Sequence, residues 1–468
     1  MDYILAGGLV VSATGRERAN LLIENGRIAA WVGDPAGRGL PVVDVAGKLI
    51  LPGLIDAHTH FQMPSGEFIT VDDFVSGGAL AASAGVTSIV DFIEPAPGQD
   101  LAQAIGARFG EARGCPVDYQ FHLVIPQRFA RDTDWYDLME QHQLAAVKGF
   151  TTYREGGLCL DDGDIEALLD WARLRRGLLT LHAEADGLLK EAGRQLVTGG
   201  HEQVRFFPCS RPAGAEQQAV QKTLELGTPP VPVYFVHISA AVSLETIAKA
   251  RQEQPGRTVW VETCPQYLVL DQSLYDRDDS CLFTVCPPLR TVADQNALWR
   301  GLRNGLVDVV ASDHCAFSVA MKTSAGWQSV RPGLPAVDAI LPVLVNVGIA
   351  EGRIEWEDLV RLTAENPARL FRLQGKGGLT PGNDADCLVI DQSKVTGRQE
   401  QRSLSLGSRA GYSPFSPAHL ERGWLTSVIR RGEFLLTDGR LAGKPGEGRL
   451  IPLHSTGSWL QWGKAIPH

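Results

Sequence analysis

Eight short apolar runs recur along the chain, at 49–58, 86–93, 118–125, 144–150, 178–183, 232–238, 257–263 and 306–312. They are rich in Val, Ile and Leu and leave little of either face polar, so each reads as a strand buried on both sides. Between them, 72–84, 100–113, 163–176, 243–254 and 292–304 carry a helical period. Several open on an Asp or Ser able to cap the first turn, as in "DDGDIEALLDWARLRRG". Repeated strand-then-helix units force parallel strands with helices outside, and eight of them fit a closed (β/α)8 TIM barrel. Residues 186–230 form a longer insertion, and 335–350 and 355–372 read as helices after the last strand. The segment 2–50 has a different character, with short strands, turns and an Asn25-Gly26 hairpin signal. "GGLTPGNDADCLVID" returns to the same chemistry. The expected organisation is therefore a barrel over 51–379 and one discontinuous β-sandwich built from 1–50 and 380–468. From about residue 400 the chain reads as loops and terminal wrapping.

Six polar residues stand at the ends of these apolar runs: His58 and His60 in "IDAHTH", Lys148 in "AVKGF", His182 in "LTLHAE", His237 in "YFVHIS" and Asp313 in "VVASDH". In a closed parallel barrel the strand ends meet at one rim, which is where barrel active sites lie. The period of two puts both imidazoles of His-x-His on one face, able to clamp one ion. Taken singly, each residue also has an ordinary reading. His-x-His can be a loop pair, a buried histidine a hydrogen-bonded core residue, and Lys148 a rim salt bridge. Together they suggest a metal-dependent hydrolase. An unpaired carboxylate at Asp313 would face a large desolvation cost that a cation would offset, and a lysine ending "LAAV" is costly when charged.

With 44% hydrophobic and 21% charged residues in 468, and a net charge of −10, the composition is that of a globular protein with no broad basic surface. This argues against nucleic acid or an anionic membrane as partner and favours a small neutral substrate. Eight cysteines without a C-x-x-C pair read as reduced thiols in a cytoplasm. Asp2 stands where a signal peptide would be cationic, and no run reaches the ~18 apolar residues of a membrane span.

The segments "PGLIDAHTHFQMP", "AVKGFTTYREGG", "LHAEADG", "SRPAGAE", "VHISA", "ETCPQYL", "PPLR", "SDHCAF" and "ENPARLFRL…GGLTPGNDADCLVID" resemble, in order, the motifs of the cyclic amidohydrolases. The hydantoinase and dihydropyrimidinase branch is the nearest likeness, and it runs from about residue 2 to residue 391. The resemblance implies two divalent ions, usually zinc, although manganese or cobalt would suit the same nitrogen and oxygen ligands. His58, His60 and Asp313 would hold one ion and His182 and His237 the other, with Lys148, carbamylated by CO2, bridging both. Two such ions polarise a carbonyl and activate water at neutral pH. Asp313 would shuttle the proton and Tyr153 would donate to the oxyanion as a cyclic ureide opens to an N-carbamoyl amino acid.

The same resemblance places substrate contacts at main-chain groups near Cys286 in "VCPPLR" and Pro332 in "RPGLPAVD", and on the loop carrying Met63 and Ser65. Pro332 offers no N–H, and Ser65 stands where an aromatic is usual, which would open the pocket for a ring substituent. A dihydroorotase is disfavoured, because Phe61 and Gln62 follow His60 where an arginine would bind the substrate acid. An allantoinase or another cyclic amide hydrolase is the alternative; the non-enzymatic scaffold relatives lack the ligands present here. Relatives of this kind are homotetramers or homodimers, so a homo-oligomer is expected.

Overall fold

The computed structural model describes residues 2–35, 38–96, 98–227, 232–254, 258–395, 407–442 and 447–454. Its larger unit is an eight-stranded parallel sheet in chain order: Leu54–Thr59, Val86–Ile93, Asp118–Val124, Ala146–Phe150, Leu179–His182, Val233–Phe235, Val259–Thr263 and Val309–Val310. All eight sequence-derived runs therefore supply a barrel strand. The ring closes between last and first, where Thr59 bridges His314 in parallel and the His60 N–H donates to the His314 carbonyl at 2.8 Å.

Strand periodicity sorts the side chains. Leu54, Ile89, Leu123, Val147, Leu179, Leu181 and Val261 point outward into the large apolar cluster under the helices. Ile55, Ala57, Val90, Ala146, Tyr234 and Val309 belong to a separate cluster with Phe371, inside the barrel. Burying each of the Leu, Ile and Val side chains stabilises by about 1.5–3 kcal/mol. Lys148 shares the face of Ala146, two residues earlier, and His182 that of Thr180, so the polar ends of both strands are directed inward by the register that buries their apolar stems. Outside, Asp73 and Asp161 cap the helices Phe74–Ser83 and Asp162–Arg175 through capping boxes with Ser76 and Asp164.

The run 49–58 divides between two sheets. Leu49–Pro52 pairs antiparallel with Cys387–Ile390 in a nine-stranded sheet, whereas Leu54–Thr59 enters the barrel. Gly53 makes the turn between them, where a Cβ would lie 2.3 Å from Thr87 Oγ1. The terminal sheet thus joins both ends of the chain, as expected, and curls onto itself: the Tyr3 and Phe434 rings, on strands far apart in its order, lie 5.7 Å apart. Leu5, Leu21, Ile23, Ile50, Val389 and Ile429 share its interior.

The reading of loops beyond residue 400 needs correction. Leu425–Arg430 and Glu433–Thr437 form a hairpin on this sheet, turning at Arg431-Gly432, both at positive φ. Residues 396–406, 443–446 and 455–468 of that segment lie outside the described residues. After the barrel the helical run begins at Ile340, not at 335, and continues as Leu344–Ile349; Trp356–Val360, Arg361–Glu365 and Asn366–Leu370 follow. Among the described residues, no helix is long and apolar enough to cross a membrane.

Candidate active site

At the C-terminal end of the barrel strands, the first three sequence-derived ligands converge. His58 Nε2 and His60 Nε2 lie 3.2 Å apart, and Asp313 Oδ1 is 3.2 Å from one and 3.3 Å from the other. One ligand atom from each falls within 4.8 Å of the others, a group that could hold a metal ion. The Phe92 ring stacks on His60, with centroids 4.8 Å apart, and backs His58 at 4.7 Å. Asp313 adopts φ 50°, uncommon for a residue other than glycine, as the chain leaves its strand. Although burial opposes ionisation, the His58 and His60 imidazoles hold its carboxyl below the usual range.

His182 and His237 form the second group. His182 Nδ1 is 3.0 Å from His237 Nε2, and the His237 ring lies 5.5 Å from that of His58, so the two groups adjoin. Burial pushes His58 and His237 well below the ordinary imidazole value and lowers His182 as well, despite the bond from its ring to Glu184. Burial thus favours the neutral ring, the form that binds metal.

Lys148 is fully buried and its Nζ has no hydrogen-bond partner among the described residues. The amine sits 5.3 Å from the Phe92 ring centroid and 5.2 Å from that of Phe150. Burial pulls it down to about 8, against the attraction of Glu262 and Asp313. Its charge in turn depresses His58, His182 and His237, which places it beside both groups. The donor set of His58, His60 and Asp313 suits a divalent cation, and His182 and His237 adjoin it. A histidine–carboxylate set and a histidine pair adjoin, and a buried amine without a partner among the described residues stands beside them.

Sequence reasoning missed the groups that hold these ligands. Glu262 accepts from His58 Nδ1 at 2.7 Å, from the Tyr234 hydroxyl at 2.8 Å and from the His237 N–H at 3.0 Å. One buried carboxylate therefore holds the His58 ring and the His237 main chain, with His58 Nε2 turned toward His60 and Asp313. Glu184 does the same for His182, whose Nε2 lies 2.7 Å away, and is held by the Arg211 guanidinium. His314 Nδ1 accepts from the Ala336 and Val337 N–H groups at 3.1 Å, and its Nε2 faces Asp72 at 3.1 Å, fixing the backbone next to Asp313. A carboxylate inside an apolar run, "VWVET", was the available signal for Glu262, and it is the argument that singled out Asp313.

Tyr153 follows the Lys148 strand at φ 65°. Its ring is 5.2 Å from that of His182, and Arg211 Nη2 is 3.4 Å from its hydroxyl. Burial raises the phenol well above its ordinary value, with Cys286 beside it, so it stays protonated and able to donate. Cys286 is thus brought to the tyrosine. Met63 leads into a small hairpin of Pro64–Ser65 with Phe68–Ile69; its N–H donates to Thr70 Oγ1, which itself donates to the His60 carbonyl. The residue before Pro332, Arg331, lies over the Phe68 ring at 4.2 Å, so the Ser65 hairpin and the Pro332 segment adjoin.

Comparison with known proteins shows the family of the chain. The chain matches the amidohydrolase family over residues 49–433. It is 35% identical over 462 residues to the D-phenylhydantoinase of Escherichia coli O1:K1 / APEC, covering 96% of this chain and 98% of that protein. Solved structures superpose closely. The D-hydantoinase of a Bacillus sp. AR9 gives a TM-score of 0.87 at 30% identity, covering 97% of this chain and all (100%) of that one. The dihydropyrimidinase of Brevibacillus agri NCHU1002 gives 0.85 at 29%, covering 98% and 100%. By sequence and by fold, this chain belongs to the amidohydrolase family.

Proposed function

We propose that this protein hydrolyses the ring amide of a cyclic ureide, a hydantoin or dihydropyrimidine, to an N-carbamoyl amino acid, using two divalent metal ions. The observation that carries the reading is the meeting of His58, His60 and Asp313 with His182 and His237 around a buried, unpartnered Lys148. His58, His60 and Asp313 would hold one ion, His182 and His237 the other, and carbamylated Lys148 both; zinc suits the nitrogen and oxygen donors, as would manganese or cobalt. The ions, when bound, supply Lewis-acid polarisation of the carbonyl and an activated water.

The protein's own groups do the rest. Asp313 Oδ, ionised despite burial, takes the proton of the attacking water and delivers it to the ring nitrogen as the C–N bond breaks. The Tyr153 hydroxyl donates to the oxygen that gains charge, and Arg211 at 3.4 Å holds it in place. Main-chain groups beside Cys286 and Pro332 grip the ureide edge, while Met63 and Ser65 border the ring substituent. The eight free thiols support a cytoplasmic enzyme, and the resemblance to the cyclic amidohydrolases implies a homotetramer or homodimer.

The test is a ring-opening assay of metal-loaded enzyme on hydantoin, 5-phenylhydantoin, dihydrouracil and allantoin. Formation of the N-carbamoyl product from a hydantoin or dihydrouracil is expected; turnover of allantoin alone would make it an allantoinase, and turnover of none would remove the reading.

A further inference from the structure

Lys322 is the last residue of the short helix Val319–Lys322 and is wholly buried, without an ion pair among the described residues. A lysine so placed is expensive unless its donors are used. Its Nζ donates to two main-chain carbonyls, that of Thr284 at 2.9 Å and that of Gly333 at 2.6 Å. The Gly333 N–H also donates to the Thr284 carbonyl, at 2.9 Å, so the three residues close a compact node.

Each arm of that node leads to a different wall of the site. Two residues beyond Thr284 is Cys286, against Tyr153. Next to Gly333 are Pro332 and then Arg331, which covers Phe68 of the Ser65 hairpin. On the other side, Leu334 pairs with the chain at His314 and Cys315, directly after Asp313. Gly333 packs closely against that chain and admits no side chain: at φ 147°, a Cβ there would lie 2.5 Å from the Cys315 carbonyl oxygen.

We propose that Lys322 is a positioning residue that sets the register of the substrate ring, by fixing the spacing between the Cys286 and Pro332 segments relative to Asp313. It touches neither metal ligand nor substrate and acts only through the two carbonyls. The inference rests on the cyclic-ureide reading above, since those two segments matter only if they hold the ring.

The experiment begins with wild-type enzyme on the ureide panel; failure to open any ring would overturn the functional reading, and this inference with it, before any substitution is made. With an active wild type, Lys322→Met keeps the volume and removes the donors. Expected are two metal ions per subunit as in wild type, kcat for hydantoin within about threefold, and KM raised about tenfold or more, as a displaced binding wall requires. An unchanged KM, or loss of metal and kcat in step with thermal stability, overturns the proposal. Should Lys322→Met fail to fold, Lys322→Ala is prepared with propylammonium, which replaces the deleted stem and amine. Dose-dependent recovery of KM that tetramethylammonium does not reproduce supports the clamp, and absence of recovery overturns it.

Discussion

Replacing Glu262 by Gln tests how the two histidine groups are held together. Its carboxylate receives three donors, from His58 Nδ1 at 2.7 Å, Tyr234 Oη at 2.8 Å and the His237 N–H at 3.0 Å. A glutamine of the same shape keeps one acceptor oxygen and presents an amide NH2 to a donor, so at least one bond to a charged acceptor is lost. Such bonds contribute about 1.5–3 kcal/mol, which corresponds to roughly 10–100-fold in metal affinity, the range seen when a partner behind a ligating histidine is removed. Competition against a chelator reads that affinity directly, with circular dichroism and melting temperature showing that the fold survives. Tyr234→Phe is the graded control. It deletes one of the three donors and leaves the His58 contact, so its loss of metal affinity should be smaller than that of Glu262→Gln. Metal affinity in Glu262→Gln within about twofold of wild type would refute the claim that this carboxylate orients the ligands.

Tyr153→Phe should lower kcat by about 10²–10³-fold with little change in metal content, read by steady-state kinetics and metal analysis. Ser65→Phe should penalise 5-aryl and 5-alkyl hydantoins more than hydantoin itself; equal losses across that series would show that residue 65 does not border the substituent. Acid unfolding should report Asp72. Burial opposes its ionisation, yet the bonds from His314, Ser408 and the Arg409 N–H hold it at about 2 against an ordinary 3.8. A depressed carboxyl stabilises fully above the unfolded value and loses that contribution as pH falls from near 4 through 2, here roughly 2.5 kcal/mol. Asp72→Asn should remove this acid limb, and a denaturant-melt profile from pH 5 to 2 unchanged by the substitution would contradict it.

What was legible in the sequence was whatever depends on local pattern. Buried parallel strands write themselves as apolar runs, and a polar residue closing such a run is conspicuous, so all eight strands and the six rim residues could be placed. Long-range partners leave no such trace. Glu262 meets His58 across 204 residues and Asp72 meets His314 across 242, pairings that only barrel closure creates. Lys322 and Arg211 look like ordinary surface cations until the chain around them is folded. The turn at Gly53 splits an unbroken apolar run between two sheets, a division set by which strand each half pairs with. The hairpin at 425–437 did carry period and turn signals, but they stood among Gly- and Pro-rich neighbours that read as loop.

Metal content of Lys148→Ala is the most direct measure of the central claim, that a buried lysine joins the two histidine groups into one binuclear site. The wild type should hold two ions per subunit. Removing Lys148 deletes the anion that would offset two dications, so Lys148→Ala should lose metal and activity together, and a short carboxylic acid such as propionate should restore part of both. Lys148→Arg, which keeps its positive charge, should stay inactive with or without the acid. A Lys148→Ala protein that retains two ions per subunit and near-normal turnover without added acid would contradict the account.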